Sequence, residues 1–202
     1  MAFIHRTTMT PTKLELLTEW LPKQSWYLHD AGKPELVKAG GFRLDDPAGA
    51  VGIEFMVVVD VAGREPVAYL FPMGYRGAEL EGAPADALMG TSEHGELGTR
   101  WIYDGVHDPV VTAQLHALLR GEAAPQQQSI SDTSDRTVTV HGTGPDDGLD
   151  DVRLNRVLRS TQAAQTTESK ESAGRSSGYL VAGWVWPDKT AARGVLAAVV
   201  PR

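Results

Sequence analysis

The residues with the greatest capacity for chemistry lie close together just before a proline. Asp104, His107 and Asp108 are near neighbours in the sequence, and His94 could reach them from the preceding segment. Imidazoles and carboxylates are ligands that Zn²⁺ accepts, but none of the six histidines has the spacing that places two on one helix face. Structural roles account for the same residues, because Asp108 precedes Pro109 as a helix cap would. We therefore predict no metal site.

Two glycine-containing stretches approach known motifs without completing them. Gly90-Thr-Ser-Glu-His-Gly95 resembles a nucleophile elbow, but its second glycine comes one residue too late. Gly142-Thr-Gly144 begins like a dinucleotide-binding loop, but Pro145 and two acids follow, and the acids would repel a pyrophosphate. The chain has no Walker sequence and no cysteine, which excludes thiol catalysis and thiolate metal sites. We predict neither a catalytic residue nor a cofactor.

Glu54 and a pair of tryptophans are the remaining candidates. Glu54 lies on a central predicted strand and faces away from its main apolar face, so we predict an exposed or rim position. Trp184 and Trp186 share one face of the last predicted hairpin, with Tyr179 near them. Aromatic faces can stack on a sugar ring, although such residues more often belong to the core.

Composition limits the partners. A net charge of −7 argues against a nucleic-acid or anionic-membrane binder, because both need a basic field. The N-terminus has no basic region followed by an apolar run, and the longest apolar run, over 195–200, is too short to span a bilayer. We expect a soluble cytoplasmic protein.

The elements that would position these residues centre on 51–121. Ala62-Gly63 predicts a hairpin between strands over 51–60 and 66–76, and Pro72, which cannot donate to a ladder, predicts a sheet edge or a frayed strand end. We interpret 77–98 as a long surface connection with a short helical turn near 85–88. A short strand follows at 101–103, and a helix runs from Pro109 to a stop at Gly121. The alternating apolar residues of the first strand are Val51, Ile53, Phe55, Val57 and Val59.

The flanking segments predict further strands and one more helix. The helix begins after Thr10 or Thr12 and is stopped by Pro22, between a weak strand over 2–8 and a strand over 35–44 that Gly40-Gly41 bends. Strands are predicted over 136–141 and near 152–157, and a hairpin pairs 178–186 with 193–200. Residues 160–177 have almost no large apolar side chain and predict a flexible loop. The fold class is α+β, with two helices and an antiparallel sheet.

The central segment resembles the N-terminal cap domain of actinobacterial maltokinases. The resemblance is carried by three runs: the strand ending Phe-Pro-Met-Gly-Tyr-Arg at Arg76, Ala87-Leu-Met-Gly90, and Trp101-Ile-Tyr-Asp-Gly-Val-His-Asp-Pro109 with its helix. It implies a curved antiparallel sheet with two packed helices, a cystatin-like cap. It implies a cap-like domain at 1–122, and we expect 123–202 to be a β extension on the same sheet, with a C-terminal β-hairpin region.

In complete maltokinases this domain precedes an ATP-binding kinase region that phosphorylates maltose for α-glucan synthesis. The present chain lacks a His-x-Asp catalytic loop with a downstream asparagine, its only asparagine being Asn155, so no catalytic residue is carried over. We therefore expect a stand-alone, non-catalytic accessory module with a protein partner in α-glucan, trehalose or maltose metabolism, or with a carbohydrate.

Two alternatives remain open at the level of sequence. One is a carbohydrate-active enzyme with a cleft lined by Tyr75, Arg76, Trp101 and Asp104, and the other is a small-ligand binder. His94 and His107 complete the predicted ligand or partner surface, whose members are Tyr75, Arg76, His94, Trp101, Asp104 and His107.

Overall fold

The computed structural model of the protein describes residues 9–28, 32–128, 133–142, 150–160 and 178–201. The weak strand predicted over 2–8 lies outside these residues, as does the loop predicted over 160–177 apart from residue 160. The two α-helices of the described part are α1 (Lys13–Trp20) and α2 (Pro109–Leu119). Its twelve strands are β1 (Met9–Thr10), β2 (Leu36–Leu44), β3 (Gly52–Asp60), β4 (Val67–Arg76), β5 (Leu88–His94), β6 (Gly98–Asp104), β7 (Gln126–Gln127), β8 (Thr139–Gly142), β9 (Asp150–Leu154), β10 (Val157–Leu158), β11 (Gly178–Val185) and β12 (Ala191–Pro201).

The described strands form one antiparallel sheet in the order β1-β5-β6-β4-β3-β2-β11-β12-β9. Three short strands pair beside this path: β10 with β4, β7 with β2, and β8 with β11. The sheet is open and strongly curved. The path ends at β9, and β10, the next strand in the sequence, pairs with β4 in the centre of the sheet. This arrangement confirms the predicted α+β class with two helices on a curved antiparallel sheet.

The β3–β4 hairpin forms the centre of the sheet, and both of its faces are covered. Its register runs from Gly52 opposite Tyr75 to Asp60 opposite Val67. We name each face by the helix that packs on it. The α2 face of β3 carries Ile53, Phe55, Val57 and Val59, which pack with α2 and with side chains of β11 and β12. The α1 face carries Met56 and Val58 with Tyr69, Phe71 and Met73 of β4, which pack with Leu17 and Trp20 of α1.

Helix α1 begins at Lys13 because Thr12 closes a capping box with Glu15. The Thr12 side chain accepts from the Glu15 backbone N–H, and the Glu15 carboxylate accepts from the Thr12 N–H at 2.7 Å. These bonds satisfy two groups that the helix itself leaves without partners. The structure thus selects the later of the two predicted starts. The helix ends at Trp20, and the 3₁₀ turn Leu21–Lys23 that follows contains Pro22, close to the predicted stop.

The segment predicted as a surface connection over 77–98 contains strand β5, so that prediction was wrong. β5 pairs with β6 from Leu88 to His94, with a bulge at its start. Its sequence is rich in glycine and polar residues, and tertiary contacts supply the order instead. Ser92 is buried and donates to the Pro11 carbonyl at 2.7 Å, while Leu16 of α1 fills the space beside Gly90.

Pro72 lies inside β4, opposite Phe55, so it marks neither a sheet edge nor a frayed end. The backbone N–H of Leu70 points away from β3 and donates to the Arg156 carbonyl at 2.9 Å. Pro72 has the same alternation as Leu70, so its nitrogen also points away from β3. On that side β10 pairs with residues 68 and 69, and β6 begins only at Met73. Pro72 thus occupies the gap between two partner strands, where no ladder bond is required of it.

Candidate functional site

The α1 face holds a buried carboxylate with three donors. Glu54 is 3% exposed, which shows that the predicted rim position was wrong. Its Oε2 accepts from Lys13 Nζ at 2.5 Å and from the Tyr75 hydroxyl at 2.7 Å, and its Oε1 accepts from Gln128 Nε2 at 2.8 Å. Since an unpaired buried carboxylate would be very costly, these donors explain how β3 tolerates the charge.

The protonation of this network is fixed by its charges. Burial pushes the pKa of Glu54 upward, but the Lys13 ammonium and the hydrogen bonds from Lys13 and Tyr75 outweigh it and lower the pKa. Burial, together with the negative charge of Glu54, raises the pKa of Tyr75 well above its usual value. Glu54 is therefore a permanently ionised acceptor and Tyr75 a permanent donor near neutral pH. Neither has the intermediate pKa that acid–base catalysis favours.

On the opposite face, Arg76 clamps the start of α2. Its Nε and Nη2 donate to the two oxygens of Asp108, each at 2.7 Å, and this bond raises the pKa of the guanidinium. Asp108 is fully buried and also accepts from the Val110 N–H at 2.9 Å, which confirms the predicted cap. The second partner was not predicted. Gly74 makes room for it, because a Cβ there would lie 2.5 Å from Asp108 Oδ2.

A third buried ion pair connects the central sheet with the segment after α2. Asp104 at the end of β6 accepts from Arg156 Nη2 at 2.5 Å. The Arg156 guanidinium also lies over the Trp26 ring, 5.1 Å from its centroid, where a cation–π interaction adds to the ion pair. The pair joins Arg156, which precedes β10, to the end of β6 that leads into α2.

The four residues of the predicted cleft do not converge. Cross-strand partners share a face, so Tyr75 lies with Ile102 and Asp104 lies with Met73, on the α1 face. Arg76 and its partner Trp101 point to the α2 face, where Asp108 binds the arginine. The sheet itself separates the two pairs, and a single cleft cannot use all four side chains.

The two predicted histidines are also separated. His94 ends β5 opposite Gly98, and Asp104 lies at the other end of β6, about 20 Å along the strand. His107 is exposed in the 3₁₀ turn Gly105–His107. The idea that His94 could reach Asp104 was therefore wrong. Across the described ranges, no group of three or more histidines and acids is arranged to hold a metal ion.

The tryptophan pair belongs to the core of the C-terminal hairpin. Trp184 is 2% exposed and meets Trp186 edge to face, with ring centroids 5.9 Å apart. Tyr179 lies on the other face of β11, where it stacks on His141 at 4.9 Å. The core role is confirmed, and the three rings do not form one platform for a sugar.

Comparison with known families gives one match, which contains the three buried acids. Residues 20–108 match the maltokinase N-terminal cap domain family. The match covers β2 to β6, all strands of the central hairpin and both members of the Arg76–Asp108 clamp. This match supports the maltokinase N-terminal cap-like domain that the resemblance in the sequence predicted. No curated protein matches the chain.

Neither described helix is long and apolar enough to cross a membrane.

The residues that sequence reasoning missed are Lys13, Gln128 and Arg156, all long-range partners of buried acids. One local signal was present. Glu54 stands beside Met56 and Val58 on the same strand face, and an acid among apolar residues indicates a covered, partnered carboxylate.

Proposed function

We propose that the protein is a non-catalytic accessory module that binds a protein partner of maltose, trehalose or α-glucan metabolism, in the cytoplasm. The match of residues 20–108 to the maltokinase cap domain carries this proposal. A cap domain is the part of such a protein that lies outside the kinase machinery, so its contribution is to recognition or assembly. The metabolic setting is taken from the family.

The state of the acidic residues supports a non-catalytic role. Asp104 and Asp108 are bound by arginines, and Glu54 accepts from three donors. A general acid or base needs a proton that it can exchange near working pH and a path to substrate. These buried carboxylates instead connect elements of the fold. Asn155 is also structural, since its side chain donates to the Val195 carbonyl at 2.8 Å.

We also propose that residues 1–122 are the cap-like unit and that 123–202 are an extension integral to the same fold. The family match lies inside the first range. The extension supplies β11 and β12, which continue the sheet from β2, and Arg156, which binds Asp104. The extension thus contributes to both faces of the cap-like unit, since Gln128 and Arg156 bind acids of the α1 face and β11 and β12 pack on the α2 face.

The proposal is tested by identifying a partner and then reconstituting the complex. The tagged protein is used to capture candidates, and each candidate is purified and titrated directly by calorimetry. We expect a saturable complex with an enzyme that acts on maltose, trehalose or an α-glucan. In the same preparation we expect no phosphate transfer from ATP to maltose, glucose or glucosamine.

Two results would contradict this function. Sugar phosphorylation that follows the protein through successive purification steps would make the chain an enzyme. Saturable binding of maltose or α-glucan to the isolated protein, without any protein partner, would make it a carbohydrate-binding module. Arg64→Gln, an exposed substitution, is the reference variant and should leave both the partner binding and the absence of phosphate transfer unchanged.

A further inference from the structure

Beside the Glu54 network, the α1 face carries two cations for which no described residue supplies an acceptor. Arg43 lies directly opposite Glu54 in the β2–β3 register, and Lys38 lies opposite Val58 further along the same face. The oxygens of Glu54 are already occupied by Lys13, Tyr75 and Gln128. Arg43 therefore lies next to a carboxylate that already binds three other donors.

One nitrogen of the Arg43 guanidinium points to a ligand on this surface. Nη1 of Arg43 is buried and has no hydrogen-bond partner among the described residues. Across the strand pair, Oε1 of Gln126 is buried and equally without a donor. Buried polar atoms are normally satisfied, because the cost of desolvation is otherwise not recovered. A donor and an acceptor left open on neighbouring residues suit a ligand that both accepts and donates hydrogen bonds.

Between the two cations, β2 carries a glycine, Gly41, on this face. Gly41 has φ = +122° and would place a Cβ 2.1 Å from the Phe55 carbonyl oxygen, so only glycine fits. The Gln128 carboxamide covers this glycine, and one N–H of its Nε2 donates to Glu54. No described residue accepts from the second N–H of that amide. Long side chains from either side can thus extend toward Gly41 and the Gln128 amide that covers it.

We propose that Lys38, Arg43 and Gln128 form a binding site for a small oxyanion, and that the ligand is a phosphate group. Arginine binds phosphate with a fixed fork of donors, and lysine adds a second positive charge. Inorganic phosphate near neutral pH also carries a P–OH, which can donate to the open Gln126 oxygen. Sulfate has no such proton, so phosphate is the better match.

Lys13, Lys38 and Arg43 bring three cations to the surroundings of Glu54, and Asp45, the acid that follows β2, accepts from Gln126 Nε2 at 2.7 Å. Two further acids of the same face, Asp60 and Asp104, are bound by Tyr27 and Arg156. The attraction between Lys38 and Glu54 and the repulsion between Lys38 and Lys13 both act within this cluster. A bound dianion would relieve the repulsion between the cations. This site is distinct from the Arg76–Asp108 clamp on the opposite face and does not depend on the partner-binding function.

The site is tested by titrating the full chain with inorganic phosphate by calorimetry, with sodium chloride at equal ionic strength as the reference. We expect saturable 1:1 binding, and Arg43→Gln should weaken it by roughly tenfold or more because a charge-assisted bond is lost. Lys38→Gln should weaken it several-fold. Arg64→Gln and Lys23→Gln remove the same charges from exposed positions elsewhere and should change the Kd by less than about twofold.

Further arms separate the possible explanations. Arg43→Lys retains the charge without the fork and should show an intermediate affinity, which keeps the test valid if Arg43→Gln fails to fold. Glucose 6-phosphate is compared with inorganic phosphate because the dianion of the ester has no P–OH. Weaker binding of the ester supports the bond from the P–OH to Gln126, and tighter binding would overturn it. Sulfate binding as tight as phosphate would overturn the assignment to phosphate. A phosphate effect that is unchanged in Arg43→Gln and Lys38→Gln would overturn the site itself.

Discussion

At the scale of single residues, buried acids hold the described fold together through named partners. Asp108 caps a helix and binds Arg76, Asp104 binds Arg156, and Glu54 binds Lys13. Replacing both charges of a buried pair by apolar groups often changes the stability little. Removing only one partner is strongly destabilising, because the other charge stays buried without a partner. Substitutions at these acids therefore probe the pairs and are not expected to report on catalysis.

Asp108→Ala should reduce the free energy of unfolding by about 3 kcal/mol, because the helix loses its cap and Arg76 loses both acceptors. Asp108→Asn can still cap but cannot accept two charge-assisted bonds, so we expect a loss of about 1–2 kcal/mol. The cap alone would predict a nearly neutral asparagine. Urea melts of both variants, with the exposed Asp188→Asn as the control, measure the difference. A neutral Asp108→Asn would show that the clamp contributes nothing.

Glu54→Gln should destabilise the protein at neutral pH by about 2 kcal/mol, a figure kept low because the Lys13 side chain is 33% exposed. The pKa of Glu54 is lowered in the fold, so its contribution is present above the pKa of the unfolded chain, about 4.3. That contribution is lost as the pH falls through the folded-state pKa. Unfolding free energies of wild type and variant should thus converge in acid. A gap that stays constant down to acid pH would contradict the ionised pair.

At the scale of elements, close approach between the sheet and its helices depends on glycine. Gly74 of β4 lies under Asp108 and Val111, with a Cβ position 2.5 Å from the carboxylate oxygen and 3.1 Å from the valine methyl. Helix α2 can therefore pack this closely on β4 only because residue 74 has no side chain. This contact also brings Asp108 within reach of Arg76, two residues further along β4.

Gly74→Ala should accordingly lower the melting temperature by several degrees, because α2 must move or the clamp must break. Gly183→Ala in β11 is the matched control: its nearest Cβ contact is 3.5 Å, an ordinary packing distance, and its φ is not positive. We expect the control to be neutral or slightly stabilising. Differential scanning calorimetry of the two variants makes the comparison. Equal melting temperatures would mean that α2 adapts to the added methyl group without cost.

The elements could be predicted where local chemistry specifies them. The alternation of apolar residues predicted β3, Ala62-Gly63 predicted the hairpin, and Asp108-Pro109 predicted the start of α2. β5 could not be found in this way, since its order comes from β6 and α1 and not from its own residues. The partners of the buried acids could not be predicted for the same reason. Lys13 and Glu54 are far apart in sequence, and pairing across that distance leaves no local pattern.

At the scale of the whole molecule, the α2 face is shared between the cap-like part and the extension. Leu180 and Trp184 of β11 and Leu196 and Val199 of β12 are buried in the same cluster as Phe55 and α2. The family match ends before α2, yet the core does not. The division at 122 therefore separates two parts of the sequence that have one hydrophobic core in common.

A fragment of residues 1–122 should for this reason fail to fold cooperatively. Full burial of a leucine or valine contributes about 1.5–3 kcal/mol, so loss of the β11 and β12 side chains removes an amount comparable with the usual total stability of roughly 5–15 kcal/mol. Loss of Arg156 also leaves Asp104 buried without its partner. Near-UV circular dichroism and thermal melts of the fragment are the measurement. The control is the full chain cleaved at a protease site inserted between residues 122 and 123, which keeps every contact and should retain a cooperative melt. A fragment that melts cooperatively with native near-UV signal would show that the cap-like part is an independent domain, and that the shared core is dispensable.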